Sequence, residues 1–385
     1  MRYIHERPDW PQFHWNESEL APILAETRHR QGLLLGEMRT LGLRVREEAS
    51  LRSLTDEVVK SSAIEGEALD AEQVRSSLAT RLGLDAAGLA TAEREVEGVV
   101  EMMIDATQDY AAPLTEERLF AWHGALFPTG RSGLSRINVA QWRDDAEGPM
   151  QVVSGPIGRT RVHYQAPAAT ALPGEMAAFL DWTNVQNEQV DPVVKAALAH
   201  LWFVTVHPFD DGNGRIARAI AELMLARADR SALRFYSMSA QIRSERRHYY
   251  DLLEATQKGS MDITGWLRWF LQCLGRAFDR ADQSMGDVFD KARFWETARD
   301  MPLNARQTKV INRLFDGYEG KLTSSKWAAV AKCSQDTAAR DIQELVELGL
   351  LRRGPGGGRS THYELADAVK SAAEIGDADK QGSLI

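Results

Sequence analysis

The sequence predicts a mainly α-helical protein, with one β-hairpin set into its helical core and a small winged helix-turn-helix module near its end. Three observations predict this. Apolar residues recur at helical spacing over most of residues 19–299, as in Leu20, Ile23, Leu24 and then Leu33, Leu34, Leu35, Met38, Leu41. Within that stretch one pair of β-prone runs, Met150–Ser154 and Arg161–Tyr164, flanks a Gly-Pro-X-Gly turn. Residues 303–366 then read helix, turn, helix, strand, glycine loop, strand, with ten Lys and Arg against seven Asp and Glu in a chain of net charge −9.

Composition sets the bounds. The 385 residues are enough for two or three domains with real cores, and 44% hydrophobic with 26% charged residues is globular. The net negative charge excludes a whole-chain nucleic-acid coat but not a local basic module. Cys273 and Cys333 lie far apart in helical patterns, so neither a disulfide framework nor a zinc site is expected, which fits a reducing cytoplasm. The N-terminus lacks an apolar signal-peptide region. The longest apolar run, 193–206, contains Lys195 and His200 and is too short to span a bilayer.

In order, residues 3–20 form an aromatic and proline-rich arm, with Asn16 or Ser18 capping a helix from Glu19 to Leu43. A second helix runs from Arg44 to Lys60. The acids Glu65, Glu67 and Asp70 follow, and alone they read as a solvated helix end. Residues 72–110 continue as helix with a break near Gly83 and Gly88. Thr115 caps the next helix, which stops at Pro128-Thr129-Gly130. After the hairpin come helices from Pro173 to Val185 and from Asp191. Past the central loop, 215–229 is helical, 236–242 is a connection, and helices span 245–257, 264–278 and 283–299. In the last module, helices span 305–316, 323–332 and, from Asp336 or Thr337, to 348; strands and a glycine loop at 350–365 precede a polar tail.

The central loop carries the chemistry. His207-Pro208-Phe209-Asp210-Asp211-Gly212-Asn213-Gly214-Arg215-Ile216-Ala217-Arg218 joins a buried helix to a second helix. Glycines 212 and 214 let backbone N–H groups approach an anion at a helix N-terminus. Arg215 and Arg218 add forked donors for phosphate, and Asp211 is a hard oxygen ligand for Mg²⁺. The ordinary pKa of His207 suits it to accept a hydroxyl proton. Base, metal ligand and anion cradle together fit phosphoryl or nucleotidyl transfer. A phosphate-binding Gly-x-x-x-x-Gly-Lys-Ser/Thr motif is absent.

This stretch matches His-x-Phe-x-Asp/Glu-Gly-Asn-Gly-Arg-x-x-Arg at every specified position and so resembles the Fic family. The likeness extends to the hairpin, to Tyr249-Tyr250 and to Asp262-x-Thr264-x-x-x-x-Trp269-Phe270, and covers roughly residues 50–280. His-Arg-Gln-Gly at 29–32 resembles the leader region of long bacterial members. The resemblance implies a Fic-type helical core with a hairpin flap, and transfer of AMP from ATP to a Tyr, Thr or Ser hydroxyl of a protein, or of the chain itself. It implies His207 as base, Asp211 as Mg²⁺ ligand, Gly212, Asn213 and Gly214 as anion hole, and Arg215 and Arg218 on the outer phosphates, with Ile216 and Ala217 in the same binding segment. Tyr249, Tyr250 and Gln257 would line the adenine pocket; Gln257 stands where relatives often have Asn. Gln151, Val152, Val153 and Ser154 would dock the target strand.

Ser61-x-x-x-Glu65-Gly66 resembles the family's inhibitory motif, implying that Glu65 pairs with Arg218 and blocks the γ-phosphate position. The resulting organisation is an N-terminal helical region 1–110, a catalytic core 111–282, a linker helix 283–302, a winged helix-turn-helix 303–366 and a tail 367–385. Alternatives are a Fic-domain sensor coupled to DNA binding through 303–366, removal of AMP with the help of Glu65, and protein contact by the winged module. A homodimer is compatible; a membrane partner is not expected.

Overall fold

The computed structural model describes residues 3–366 apart from 85–91, 147, 156–158, 186–188, 300, 316–319 and 355–360. The expected turn tip at 156–158, the Gly88 break, the glycine loop at 355–360 and the tail lie outside the described residues. The chain divides into two compact units, Met1–Asp282 and Gln283–Ile385.

In the first unit, α1 (Glu17–Thr40) and α2 (Leu43–Glu65) are followed by α3 (Ala71–Arg81), α4 (Arg94–Gln108) and α5 (Glu116–Leu126). The Asn16 side chain accepts from the Glu19 N–H, and that of Thr115 from the Arg118 N–H, which supplies the expected caps. Two hairpins follow: β1 (Arg131–Ser132) with β2 (Ser135–Arg136), and β3 (Gln151–Ser154) with β4 (Arg161–Gln165). The second is the expected flap, with Val152 opposite Tyr164 and a bulge between Val152 and Val153. Then come α6 (Leu172–Asn184), α7 (Pro192–Val206), α8 (Asn213–Asp229), α9 (Met238–Ser244), α10 (Arg246–Gln257) and α11 (Thr264–Thr297), whose residues from Gln283 on belong to the second unit.

Helix α7 is apolar nearly all round and packs chiefly against α8; both are buried along almost their whole length. Helix α2 lies on α3, α8 and α9, and α4 lies on α3, α5 and α8. The N-terminal arm crosses this unit. Trp10 and Phe13 meet Trp202 edge-on, and the Trp10 indole N–H donates to Glu175 at 2.9 Å. The arm also braces the flap: Tyr3 packs edge-on against Tyr164, whose hydroxyl donates to the Thr205 carbonyl at 2.7 Å.

Two expectations are corrected, and one element had not been expected. Residues 236–242 are not a connection: Ser237 caps α9, its side chain accepting from the Ala240 N–H. The helices expected at 264–278 and 283–299 are one, α11, because the intervening Asp279-Arg280-Ala281-Asp282 holds no proline or glycine to break a helix. The β1–β2 hairpin was not expected at all; two-residue strands carry no readable alternation.

In the second unit, α12 (Ala305–Phe315), α13 (Ser324–Ala331) and α14 (Gln335–Glu347) precede β5 (Leu351–Arg353) paired with β6 (Tyr363–Leu365). Its core gathers Trp327, Ile311, Ile342, Leu345 and Phe294. Helix α14 starts at Gln335, slightly before the expected Asp336 or Thr337, and Ser334 caps it. Both cysteines are free thiols. No helix among the described residues is long and apolar enough to cross a membrane.

Close packing of α4 on α5 depends on Gly98, where an added Cβ would stand 1.8 Å from the Ala125 carbonyl oxygen. Gly98→Ala is expected to destabilise the first unit by about 1–3 kcal/mol despite its better helix propensity, read as a lower urea midpoint.

Candidate active site

The site is built at the junction of α7 and α8. His207 ends α7 in the left-handed region, φ 52° and ψ 58°, which a bulky side chain rarely adopts. Surrounding bonds hold it there. Its N–H donates to the Phe203 carbonyl at 3.0 Å, and its carbonyl accepts from Arg143 Nε at 2.8 Å. Arg143 is buried and also donates to the Pro167 carbonyl at 2.6 Å, so it links the junction to the segment after the flap. Phe209 is fully buried and stacks on His123 with centroids 4.2 Å apart. Asn213 closes the loop from the other side: Oδ1 accepts from the Phe209 N–H at 3.0 Å, and Nδ2 donates to the Phe209 carbonyl at 2.7 Å. The Asn213 side chain is therefore committed to the loop, and only its main chain faces the helix N-terminus.

His207 Nδ1 lies 3.2 Å from the Val204 carbonyl, so the neutral ring carries its proton there and keeps a lone pair on Nε2. Burial pulls its pKa down to about 4, which keeps the ring neutral at physiological pH.

At the start of α8, Gly212 has φ +80°, and a Cβ there would approach Phe127 to 2.8 Å. A Cβ on Gly214 would stand 2.1 Å from Glu65 Oε1, so the Glu65 carboxylate lies directly against the helix N-terminus. Arg218 is 2% exposed. Its guanidinium donates to Ser61 Oγ, to the Ser61 carbonyl and to Glu65 Oε1, each at 2.8 Å. Ser61 and Glu65 thus act together, as their four-residue spacing predicts. Tyr250 donates to the other Glu65 oxygen at 3.1 Å. Burial would raise the Glu65 pKa, but the charge and hydrogen bond of Arg218, with help from Tyr250, bring it below the usual carboxylate value. Gly66 ends α2 at φ +94°, which turns Glu67 onto a different arginine: Arg215 donates to it at 2.6 Å and lies over the Phe127 ring. Asp70 plays no part; it caps α3, accepting from the N–H groups of Glu72 and Gln73.

Asp211 is exposed; its carboxylate accepts from the Gly212 N–H at 2.6 Å and from the Ser132 hydroxyl. Among the described residues no three His, Cys, Asp or Glu side chains are grouped to hold a metal. A cation here would take one carboxylate and complete its shell with phosphate and water, which suits Mg²⁺.

A cavity of about 830 Å³ opens beside the junction, the size of a small-molecule site. His207, Gly214, Glu65, Tyr249, Tyr250 and Gln257 line it, as do Val152, Val153 and Ser154 of the flap. Tyr249 is buried and its hydroxyl pairs with His200 Nε2 at 2.9 Å. The expected adenine-pocket residues therefore share one wall. Three expected site residues are placed elsewhere. Ile216 and Ala217 are fully buried in the core, and the Ile216 N–H donates to the Gly212 carbonyl at 3.0 Å; the helix period turns both away from the site. Gln151 is exposed at the base of the flap, its amide donating to Gln165 at 3.0 Å. Residues that sequence reasoning missed are Arg143, His123, Ser132 and, as a partner for Arg215, Glu67. The Glu65-Gly66-Glu67 spacing was the one available signal; the others act only through tertiary contacts.

Residues 113–225 match the Fic/DOC family, and residues 3–84 match a domain of unknown function, DUF4172. The protein adenylyltransferase Fic of Culex quinquefasciatus is 29% identical over 238 residues, covering 60% of this chain and 42% of the relative. That of Drosophila grimshawi is 26% identical over 275 residues, covering 69% and 51%. The chain thus spans about half the length of these curated relatives. A Fic family protein from Desulfovibrio desulfuricans G20 shares the fold, with a TM-score of 0.53 at 23% identity over 90% of this chain and 95% of that one.

The buried histidines beneath the site make stability depend on pH. Burial pulls His123 to about 4 and His200 to about 3. Unfolded, both titrate near 6.5, so below that pH the unfolded chain binds protons that the folded chain refuses. Their contribution is complete above about pH 6.5 and is lost as pH falls toward 4, at about 1.4 kcal/mol per pH unit for each ring. The urea midpoint is expected to drop between pH 6.5 and 4.5, and His200→Gln to flatten that slope; an unchanged slope would contradict the assignment.

Proposed function

With residues 113–225 belonging to the Fic/DOC family, we propose that the chain is a protein adenylyltransferase held off by its own Glu65. It transfers AMP from ATP to a Tyr, Thr or Ser hydroxyl of a protein. The observation that carries this reading is the Glu65 carboxylate, seated between Arg218 and Gly214 where the helix N-terminus would receive the outer phosphates.

The residues divide the work as follows. Neutral His207 takes the proton of the target hydroxyl on Nε2 as that oxygen attacks the α-phosphate. N–H groups of the first turn of α8 receive the phosphate charge that builds up, and pyrophosphate leaves toward Arg215 and Arg218. Asp211 would hold Mg²⁺, which supplies charge neutralisation between phosphates. Tyr249, Tyr250 and Gln257 accommodate the adenosine. Val152–Ser154 offer the outer edge of β3 to an extended target segment. While Glu65 and Glu67 occupy the two arginines, the phosphates lack their partners, so the resting state is off.

A second reading concerns residues 303–366, which we propose contact DNA as a winged helix-turn-helix. Four acids on α14 argue against this from sequence. Two of them are used internally: Asp341 is 3% exposed and paired with Arg306, and Glu344 accepts from Gln307 at 2.9 Å. Arg340 lies on the exposed part of the same helix.

Glu65→Gly is expected to raise AMP incorporation from α-labelled ATP about tenfold or more, and His207→Ala in that background to lower it about 100-fold or more. Signal from γ-labelled ATP instead would indicate phosphoryl transfer, and no gain in Glu65→Gly would remove the inhibitory role. For the second reading, the full-length chain should shift duplex DNA at low salt and release it as salt rises, more readily with Arg340→Ala. No shift at any salt would favour a protein partner for that unit.

A further inference from the structure

Ser154, at the end of flap strand β3, sits in a relay that the proposed reaction on other proteins does not use. Its Oγ lies 2.5 Å from Nε2 of His163 on β4. Nδ1 of the same ring lies 2.5 Å from Oε2 of Glu254 on α10. Glu254 also accepts from Arg161 at 2.8 Å and from Lys258 at 2.6 Å. Burial alone would raise the Glu254 pKa, but hydrogen bonds from Lys258, His163 and Arg161 outweigh it and bring it to about 2. An ionised partner fixes the proton of the neutral ring on Nδ1 and leaves the Nε2 lone pair to the Ser154 hydroxyl. Serine, imidazole and carboxylate in this order are the arrangement that activates a hydroxyl for attack.

A simpler use of these contacts would be to tie the flap to α10. The Arg161–Glu254 ion pair already does that, and does not require a serine on the far side of the histidine ring. Placement favours chemistry as well. Ser154 is exposed, and Ser154, His163 and Glu254 line the same cavity as His207 and Gly214.

We propose that Ser154 is a self-modification site, the chain's own acceptor of AMP from an adenosine triphosphate bound in this cavity. The inference rests on the AMP-transfer reading above and adds the acceptor. In the step, Ser154 Oγ attacks the α-phosphorus, forming an Oγ–P bond. The bond from that phosphorus to the bridging oxygen of the β-phosphate breaks, and pyrophosphate leaves with the electron pair. The hydroxyl proton passes to His163 Nε2 and from there to solvent. Each chain takes one AMP at this position.

Two measurements test it. Full-length protein carrying Glu65→Gly, incubated with α-labelled ATP and Mg²⁺, should carry AMP on Ser154 in peptide mapping by mass spectrometry. Ser154→Ala should lower self-incorporation about tenfold or more, and His163→Ala should do the same. AMP found on other residues or on lysate proteins, with none on Ser154, would overturn the acceptor and leave the general activity standing. No AMP on any protein would overturn both. The second measurement needs no nucleotide: a fluorophosphonate probe should label Ser154 in the wild-type chain and not in His163→Ala, with thermal melting showing that the variant is folded. A serine as unreactive as others on the surface would overturn the relay.

Discussion

A buried arginine must find its partners inside the protein, and Arg218 sets the terms for the rest of this site. Placing a guanidinium at 2% exposure costs several kcal/mol unless its donors are satisfied. Ser61 and Glu65 of α2 satisfy them with three bonds of 2.8 Å each. The pairing therefore serves two ends at once. It fastens α2 to α8, and it puts a carboxylate against the helix N-terminus that an anionic ligand would use. A phosphate would also bring negative charge to the same donors. Displacing Glu65 then means exchanging one anion for another, not exposing a bare charge.

Helix α8 carries a second buried polar cluster, one to three turns further on. Glu222 and Asp229 both pair with Arg234, and Tyr236 donates to Asp229 at 2.9 Å. Burial pushes the Glu222 pKa up to about 8 despite Arg234. Nearby, Glu57 of α2 accepts from the Ser237 hydroxyl and the Ser239 N–H at the start of α9. Helix α2 is thus held by polar contacts along its length, at Glu57 and again at Ser61 and Glu65. Such contacts demand correct geometry more strictly than apolar packing does. The end of α2 meets two arginines in this way, and Gly66 makes the turn that lets Glu65 and Glu67 reach different ones.

Much of this was legible beforehand. The twelve residues from 207 to 218 are contiguous, so their spacing alone places base, acid, glycines and arginines around one helix start. The flap was legible because its alternating β-prone runs stand out in a helical chain. The failures have physical causes. Arg143, Ser132 and His123 act on the loop from other parts of the chain, through carbonyls or hydroxyls, and such partners leave no local pattern. Ile216 and Ala217 fall in the middle of the motif, but the helix period turns them into the core. Asp70 looked equivalent to Glu65 and Glu67; three further residues of chain made it a helix cap.

The sequence by itself determined which elements form and which residues surround the start of α8, because propensity, capping and short-range spacing act within one turn or one hairpin. Only the tertiary structure decided how those groups are committed. It gave the Asn213 side chain to the loop, Arg218 to Ser61 and Glu65, Arg215 to Glu67, and His163 to both Ser154 and Glu254. These pairings span from four to 157 residues of sequence. They are chosen by which buried charges and donors the packed helices bring within hydrogen-bond reach, a quantity that exists only once the chain is folded.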